Sequence, residues 1–251
     1  MPHPCDNPVV RPPLAVLIFV ALAGACGGGG DTADSGAPFA PAARELIPEA
    51  LLTPDDLPDG WDAIDEEDDI SNRVRFSGAC DIFDLGVVFP GAAASQRSPA
   101  YIGPSNEQAL SFAAIFEDEA DSATAIDGTR ELVDECGEEY KDEVERLARD
   151  ELSALGVSLG LFADIDVSLV ERDVPAPVDE SAAYRVQVKI GIVGTDQRFT
   201  IDVIVSRWGR TAVGLVYAVF GEPNELEEGA IAEALLARAA TVDEQLPESD
   251  G

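Results

Sequence analysis

Three successive runs with an apolar residue at every second position constrain the fold of this chain most. They cover residues 184–192, 199–205 and 213–219, with turn residues at 194–197 and 208–209 between them. Such alternation predicts β-strands with one buried face, and turns this short join them into an antiparallel meander. The third run has small residues on its other face, which predicts a central strand or close approach by another element.

The remaining pattern predicts helices around this sheet. An alternating stretch over residues 110–116 predicts a half-buried strand, and apolar spacings of three and four then predict two successive helices that end near Gly156. A last helix is predicted to begin after Asn224, which we expect to cap it. The chain therefore predicts one α+β domain, an antiparallel sheet of about five strands with helices packed on one face.

The N-terminal residues predict export and lipid attachment. Ten apolar residues, 14–23, are too few to span a bilayer, which takes about 20. Small residues then precede Cys26, and a glycine run follows it. This layout is typical of a bacterial lipoprotein. We expect a signal peptide over residues 1–25, an acylated flexible tether over 26–41, and a folded domain over 42–251.

This interpretation places the protein on the extracytoplasmic face of the cell membrane, with the membrane as a partner through the lipid on Cys26. The alternatives are ordinary secretion with an incidental Cys26, and an uncleaved anchor.

Charge and composition exclude one class of partner. The formal net charge is −33, which repels nucleic acid and anionic lipid head groups, so no nucleic-acid partner is expected. Arginine greatly outnumbers lysine and alanine is abundant, which is typical of GC-rich genomes such as those of actinobacteria.

The four cysteines fall into two groups. Cys5 lies in the predicted signal peptide, and Cys26 is the predicted lipid site. Cys80 and Cys136 remain as one pair in an oxidising compartment, which favours a disulfide. Two buried reduced thiols are the alternative.

The usual catalytic groups are missing from the predicted mature chain. His3 is the only histidine, and it lies in the predicted signal peptide. This excludes nucleophile–histidine pairs and histidine-bound zinc there. Carboxylate pairs are numerous, but among 49 acidic residues they are mostly solvated surface. The acidic run 65–69 lacks the glycine and ligand spacing of a calcium loop. We therefore expect no enzyme, metal or cofactor.

One segment reverses the charge of the chain. Residues 184–211 carry five basic side chains against two carboxylates. Strand alternation places Arg185 and Lys189 on the polar face of one strand, and Arg198 begins its neighbour. This basic strip could receive a phosphate, carboxylate or anionic glycan. The alternative is a solvated face whose cations pair with carboxylates elsewhere.

Residues 50–246 resemble the PknH-type extracellular sensor domain of actinobacteria. The resemblance rests on the segments LLTPDDLPDGW, CDIFDLGVVFP, AYIGPSN, ALSFAAIFED and SATAIDGTRELVDEC, followed by the meander and the last helix. It implies an α+β sheet with a cleft, and a disulfide near the one predicted above. This chain lacks the cysteines of the second disulfide in that family, and it carries no kinase segment.

Two functions remain open at this stage. The first is a surface-tethered sensor or binding module for a ligand or a partner protein of the cell envelope. The second is a carrier of a lipid or another hydrophobic molecule, as in the LppX/LprG-type lipoproteins. The carrier requires a large apolar cavity between the sheet and the helices.

Overall fold

The computed structural model describes residues 39–64, 80–81, 84–154, 163–173, 180–192 and 195–248. The helices in these ranges are α1 (Phe39–Leu46), α2 (Leu85–Val88), α3 (Glu119–Ala154) and α4 (Glu225–Gln245). The strands are β1 (Asp62–Ala63), β2 (Ala94–Arg97), β3 (Tyr101–Ile102), β4 (Gln108–Ile115), β5 (Ala163–Glu171), β6 (Glu180–Ile192), β7 (Thr195–Trp208) and β8 (Thr211–Phe220). Two short 3-10 turns, Ile47–Ala50 and Pro54–Asp56, follow α1.

The described strands form one eight-stranded sheet in the order β1-β3-β4-β8-β7-β6-β5, with β2 also paired to β4. Every pairing is antiparallel. The α+β class is confirmed, and β6, β7 and β8 are the three predicted alternating runs. The sheet exceeds the predicted five strands because short strands from residues 62–102 extend it beyond β4.

Helices cover both faces of the sheet, and the prediction of helices on one face was wrong. On β8, Val213, Leu215 and Tyr217 join a core with α4 and the N-terminal segment. Ala212, Val216 and Ala218 join a second core with α3 and α2. All eight residues of β4 are buried, where a half-buried strand was predicted. An antiparallel strand that is apolar on both faces needs a covering layer on each side.

A single long helix, α3, replaces the two predicted helices, since residues 119–154 are continuous. Its inward residues include Ile126, at 0% exposure, and Cys136, at 4%. Cys136 and Cys80 form a disulfide with an S–S distance of 1.96 Å. The bond joins α3 to a residue 56 positions earlier in the chain.

The N-terminal segment, residues 39–61, packs against α4. Helix α1 starts at Phe39, which is buried, so the folded part begins before residue 42, the predicted start. A short turn begins at Thr53, whose backbone N–H and hydroxyl both donate to Asp56 Oδ2, at 2.7 and 2.8 Å. Arg238 of α4 donates to the same carboxylate oxygen at 2.7 Å, so this turn is tied to the last helix.

Several predicted features lie outside the described residues. They are the signal peptide, Cys26, most of the tether, and the acidic run 65–69. Among the helices that are described, none combines the length and apolarity needed to cross a bilayer.

Gly214 offers a test of how closely the α3 side of the sheet is packed. A Cβ added there would lie 2.0 Å from the ring of Phe112, so Gly214→Ala must displace that ring. We expect a loss of about 1–3 kcal/mol in the free energy of unfolding, measured by urea denaturation.

Gly128→Ala in α3 is the matched control, because nothing lies within 4 Å of the added methyl group. Removing a helical glycine there is expected to stabilise the protein by about 0.5–1 kcal/mol. A Gly214→Ala variant as stable as the wild type would show that the layer over β8 is loosely filled.

Candidate functional site

Polar and charged residues collect on one half of the sheet, on the side that carries α4. Helix α4 packs against β8 and β7, whereas β6 and β5 lie beyond β7, toward the edge of the sheet. Alternation gives β6 an apolar row toward α3 and a second row, Arg185, Gln187 and Lys189, toward the α4 side. This half of the sheet is therefore where ionisable side chains meet.

Four of these residues form a buried charge cluster: Arg172, Arg185, Asp202 and Glu228. Arg185 and Asp202 lie opposite each other on β6 and β7, and Arg185 donates to both carboxylate oxygens at 2.7 Å. Arg172 follows the end of β5, and its Nη1 lies 2.6 Å from both Asp202 Oδ2 and Glu228 Oε1. Glu228 belongs to the first turns of α4. The cluster thus ties α4 to three strands.

Both carboxylates of the cluster are almost fully removed from water. Asp202 and Glu228 side chains are 1% exposed, and the two arginines 17% and 16%. Glu228 Oε2 is buried and has no hydrogen-bond partner among the described residues. Burial, and then the nearby charge of Asp202, raise the pKa of Glu228 to about 7, although Arg172 and Arg185 oppose the shift. Glu228 therefore exchanges its proton near neutral pH.

The predicted basic strip lies on one face of the sheet, but two of its cations already have carboxylate partners. Arg185 is held by Asp202. Arg198 pairs with Glu222 beyond the end of β8. Lys189 is exposed, and the strand register places it between Asp166 and Arg198. Both arginines therefore pair with carboxylates, but Arg198 does so at an exposed position and Arg185 in a largely buried cluster.

A second feature, the distal cleft, lies where β7 begins and β8 ends. It is an open cleft of about 420 Å³, lined by Ser105, Asn106, Asp196, Gln197, Arg198, Phe220 and Gly221. Its volume falls within the range of about 300–1,000 Å³ that is common for small-ligand sites. Of the predicted strip, Arg198 alone contributes to it.

Backbone hydrogen bonds build both walls of the distal cleft. On one side, the Gly221 N–H donates to the Arg198 carbonyl at 2.8 Å, and the Thr200 hydroxyl donates to the Gly221 carbonyl at 2.8 Å. Gly221 has a φ of +90°, which a glycine adopts without strain. On the other side, the Asn106 N–H donates to the Gly103 carbonyl at 3.0 Å within the β3–β4 turn.

The cleft is far from the point where the N-terminal segment joins the domain. Phe39 packs against Arg210 of the β7–β8 turn, with 5.2 Å from the guanidinium carbon to the ring centroid. Arg198 and Trp208, which precedes that turn, are ten positions apart along β7. At about 3.3 Å per residue, the two ends are roughly 30 Å apart.

Sequence reasoning missed Glu228, Asn106 and Phe220. Glu228 lies in the first turn of α4, where an acid suits the helix dipole, and only the fold brings it to Arg172. Asn224 does occupy the N-cap position of α4, but its side chain makes no capping hydrogen bond, contrary to the expectation. In the part of the chain that the structure describes, no three potential ligands converge as a metal ion would need.

Comparison with known proteins gives a weak likeness of fold. No protein-family model matches the chain, and no curated protein matches it significantly. A crystal structure of the extracellular domain of PknH from Mycobacterium tuberculosis is similar over 79% of this chain and 97% of that chain. The TM-score is 0.43 and the sequence identity 10%.

Glu228 gives the stability of the fold a distinct pH dependence. Its pKa is higher in the folded chain, about 7, than the ordinary value of 4.5, so the folded state binds the extra proton between these values. The stability that Glu228 contributes is therefore present at low pH and lost as pH rises toward and through 7.

The quantity to follow is the free energy of unfolding of the wild type minus that of Glu228→Gln. We expect this difference to decrease by up to about 3 kcal/mol as the pH rises from 4.5 to above 7. Urea denaturation of both proteins across this range measures it, and the comparison cancels the titration of all other groups. A difference that stayed constant or increased with pH would contradict the buried, proton-binding Glu228.

Proposed function

We propose that the protein is a lipid-anchored module on the extracytoplasmic face of the membrane, which recognises an envelope ligand through the distal cleft. The observation that carries the proposal is the position of the cleft. It opens at the end of the sheet opposite Phe39, where the predicted tether joins the domain. A protein held at that end presents the cleft away from the membrane.

The anchor itself rests on the sequence. A short apolar segment ends in small residues before Cys26, and two acyl chains suffice for stable attachment, at about 0.8 kcal/mol per buried methylene. The Cys80–Cys136 disulfide is compatible with an oxidising compartment.

The cluster gives the module a fixed recognition surface. Glu228 holds the start of α4 against Arg172, and the segment that connects β8 to α4 contains Gly221 and Glu222. Arg172 donates to Glu228 Oε1 at 2.6 Å and lies 2.6 Å from Asp202 Oδ2, so the start of α4 is tied to β7 and to the residue after β5. A pre-formed wall lowers the ordering cost of ligand binding.

Two observations argue against the other functions considered above. A carrier needs an empty apolar cavity, but the space over Gly214 on β8 is filled by the Phe112 ring. Glu228, the described carboxyl group whose pKa is raised to about 7, is buried and paired to Arg172, out of reach of a substrate. We therefore propose binding without catalysis.

Metabolic labelling tests the anchor. An actinobacterial host that expresses the full chain is grown in medium that contains a palmitate analogue, and the label on the protein is measured. We expect label on the wild type and on Cys5→Ser, the matched control in the leader. Cys26→Ser should lose the label and keep its leader peptide. Label that persisted in Cys26→Ser would overturn lipid attachment at this residue.

Recognition is separated from transport by native mass spectrometry of the folded chain with Cys26→Ser, purified gently from envelopes. A binding module is expected to carry no lipid. A stoichiometric lipid adduct would overturn the proposal in favour of a carrier.

A further inference from the structure

We propose that the distal cleft binds a neutral polyhydroxylated ligand, a saccharide unit whose ring lies against Phe220. This inference rests on the proposed function, since it names the ligand class of the same cleft.

The polar groups of the cleft match hydroxyl groups. Asn106 and Gln197 each offer a carboxamide that both donates and accepts hydrogen bonds, and the hydroxyl of Ser105 does the same. Every saccharide hydroxyl is likewise a donor and an acceptor. Side chains with both roles can satisfy neighbouring hydroxyls without leaving a buried polar group unpaired.

The charges of the cleft favour a neutral ligand. Asp196 and Arg198 contribute one charge of each sign, and Arg198 already pairs with Glu222. An anionic ligand would have to compete with Glu222 for Arg198, and the net charge of −33 repels it at long range. A cationic ligand would find Asp196 alone, at an exposed position where ion pairs contribute little.

Phe220 provides an apolar surface among the polar residues that line the cleft. It is half-buried, and its ring lies 5.3 Å from that of Phe199, which is 1% exposed. The Phe199 contact fixes the position of the Phe220 ring. Saccharide rings have an apolar C–H face and a rim of hydroxyls, so one aromatic ring with polar neighbours fits both parts.

Asn106 adopts a φ of +68°, a left-handed conformation that few residues other than glycine accept. This conformation permits a substitution that removes the side chain and leaves the backbone unchanged. Asn106→Gly removes the carboxamide and keeps a residue suited to this backbone, so the turn is expected to fold unchanged.

The experiment is saturation-transfer NMR of residues 26–251 carrying Cys26→Ser. The neutral probes are glucose, galactose, mannose, arabinose and trehalose, with glucuronic acid and glucosamine as charged counterparts. We expect transfer to the ring C–H protons of at least one neutral probe. Asn106→Gly and Gln197→Ala should each weaken its binding about fivefold, as the loss of one hydrogen bond predicts. Gln96→Ala, on exposed β2, is the control and should bind like the parent.

Three results would overturn the proposal. Absence of transfer to every neutral probe excludes the ligand class, and binding that is equal in the two cleft variants and the control excludes the cleft. Binding of glucuronic acid or glucosamine alone, weakened by the cleft variants, excludes a neutral ligand but leaves the cleft as a recognition site. The lipid adduct described above would instead overturn the recognition function itself.

Discussion

Strands β4 and β8 are apolar on both faces, and the rest of the fold follows from covering them. All eight residues of β4 and nine of the ten in β8 are buried. A single helical layer would leave one apolar face of these strands in water, at about 25 cal/mol for each Å². The chain supplies α3 on one side and, on the other, α4 with the N-terminal segment, so the central pair lies between two cores.

Covering β4 and β8 also determines which strands can carry ionisable residues. Since α4 lies over β8 and β7, the α4-side row of β6 is free to be polar, and charged side chains appear there. Where this row meets the start of α4, Arg172 and Arg185 pair with the buried carboxylates of Asp202 and Glu228, and Glu228 Oε2 alone of their carboxylate oxygens is left without a hydrogen-bond partner among the described residues. The cluster therefore fixes α4, and with it the segment from Gly221 that forms one wall of the distal cleft.

Local pattern predicted much of this fold but little of its site. Strict alternation identified β6, β7 and β8. The number of strands was underestimated because pairs such as Asp62–Ala63 are too short to show any period. Helices on both faces could be foreseen only in part, from the small residues of β8. The partners of Glu228 and the walls of the cleft come from segments far apart in the chain, and no spacing rule relates them.

Arg210 contacts both ends of the described chain. Its guanidinium lies over the ring of Phe39 and donates to the carbonyl of Pro247 at 2.8 Å. Phe39 and Pro247, near the two ends of the described chain, thus lie close together at the end of the sheet remote from the cleft. A fluorescent protein or affinity tag fused directly after Pro247 would start on the Phe39 side of the domain, so reporter fusions can be built there without obstructing the cleft.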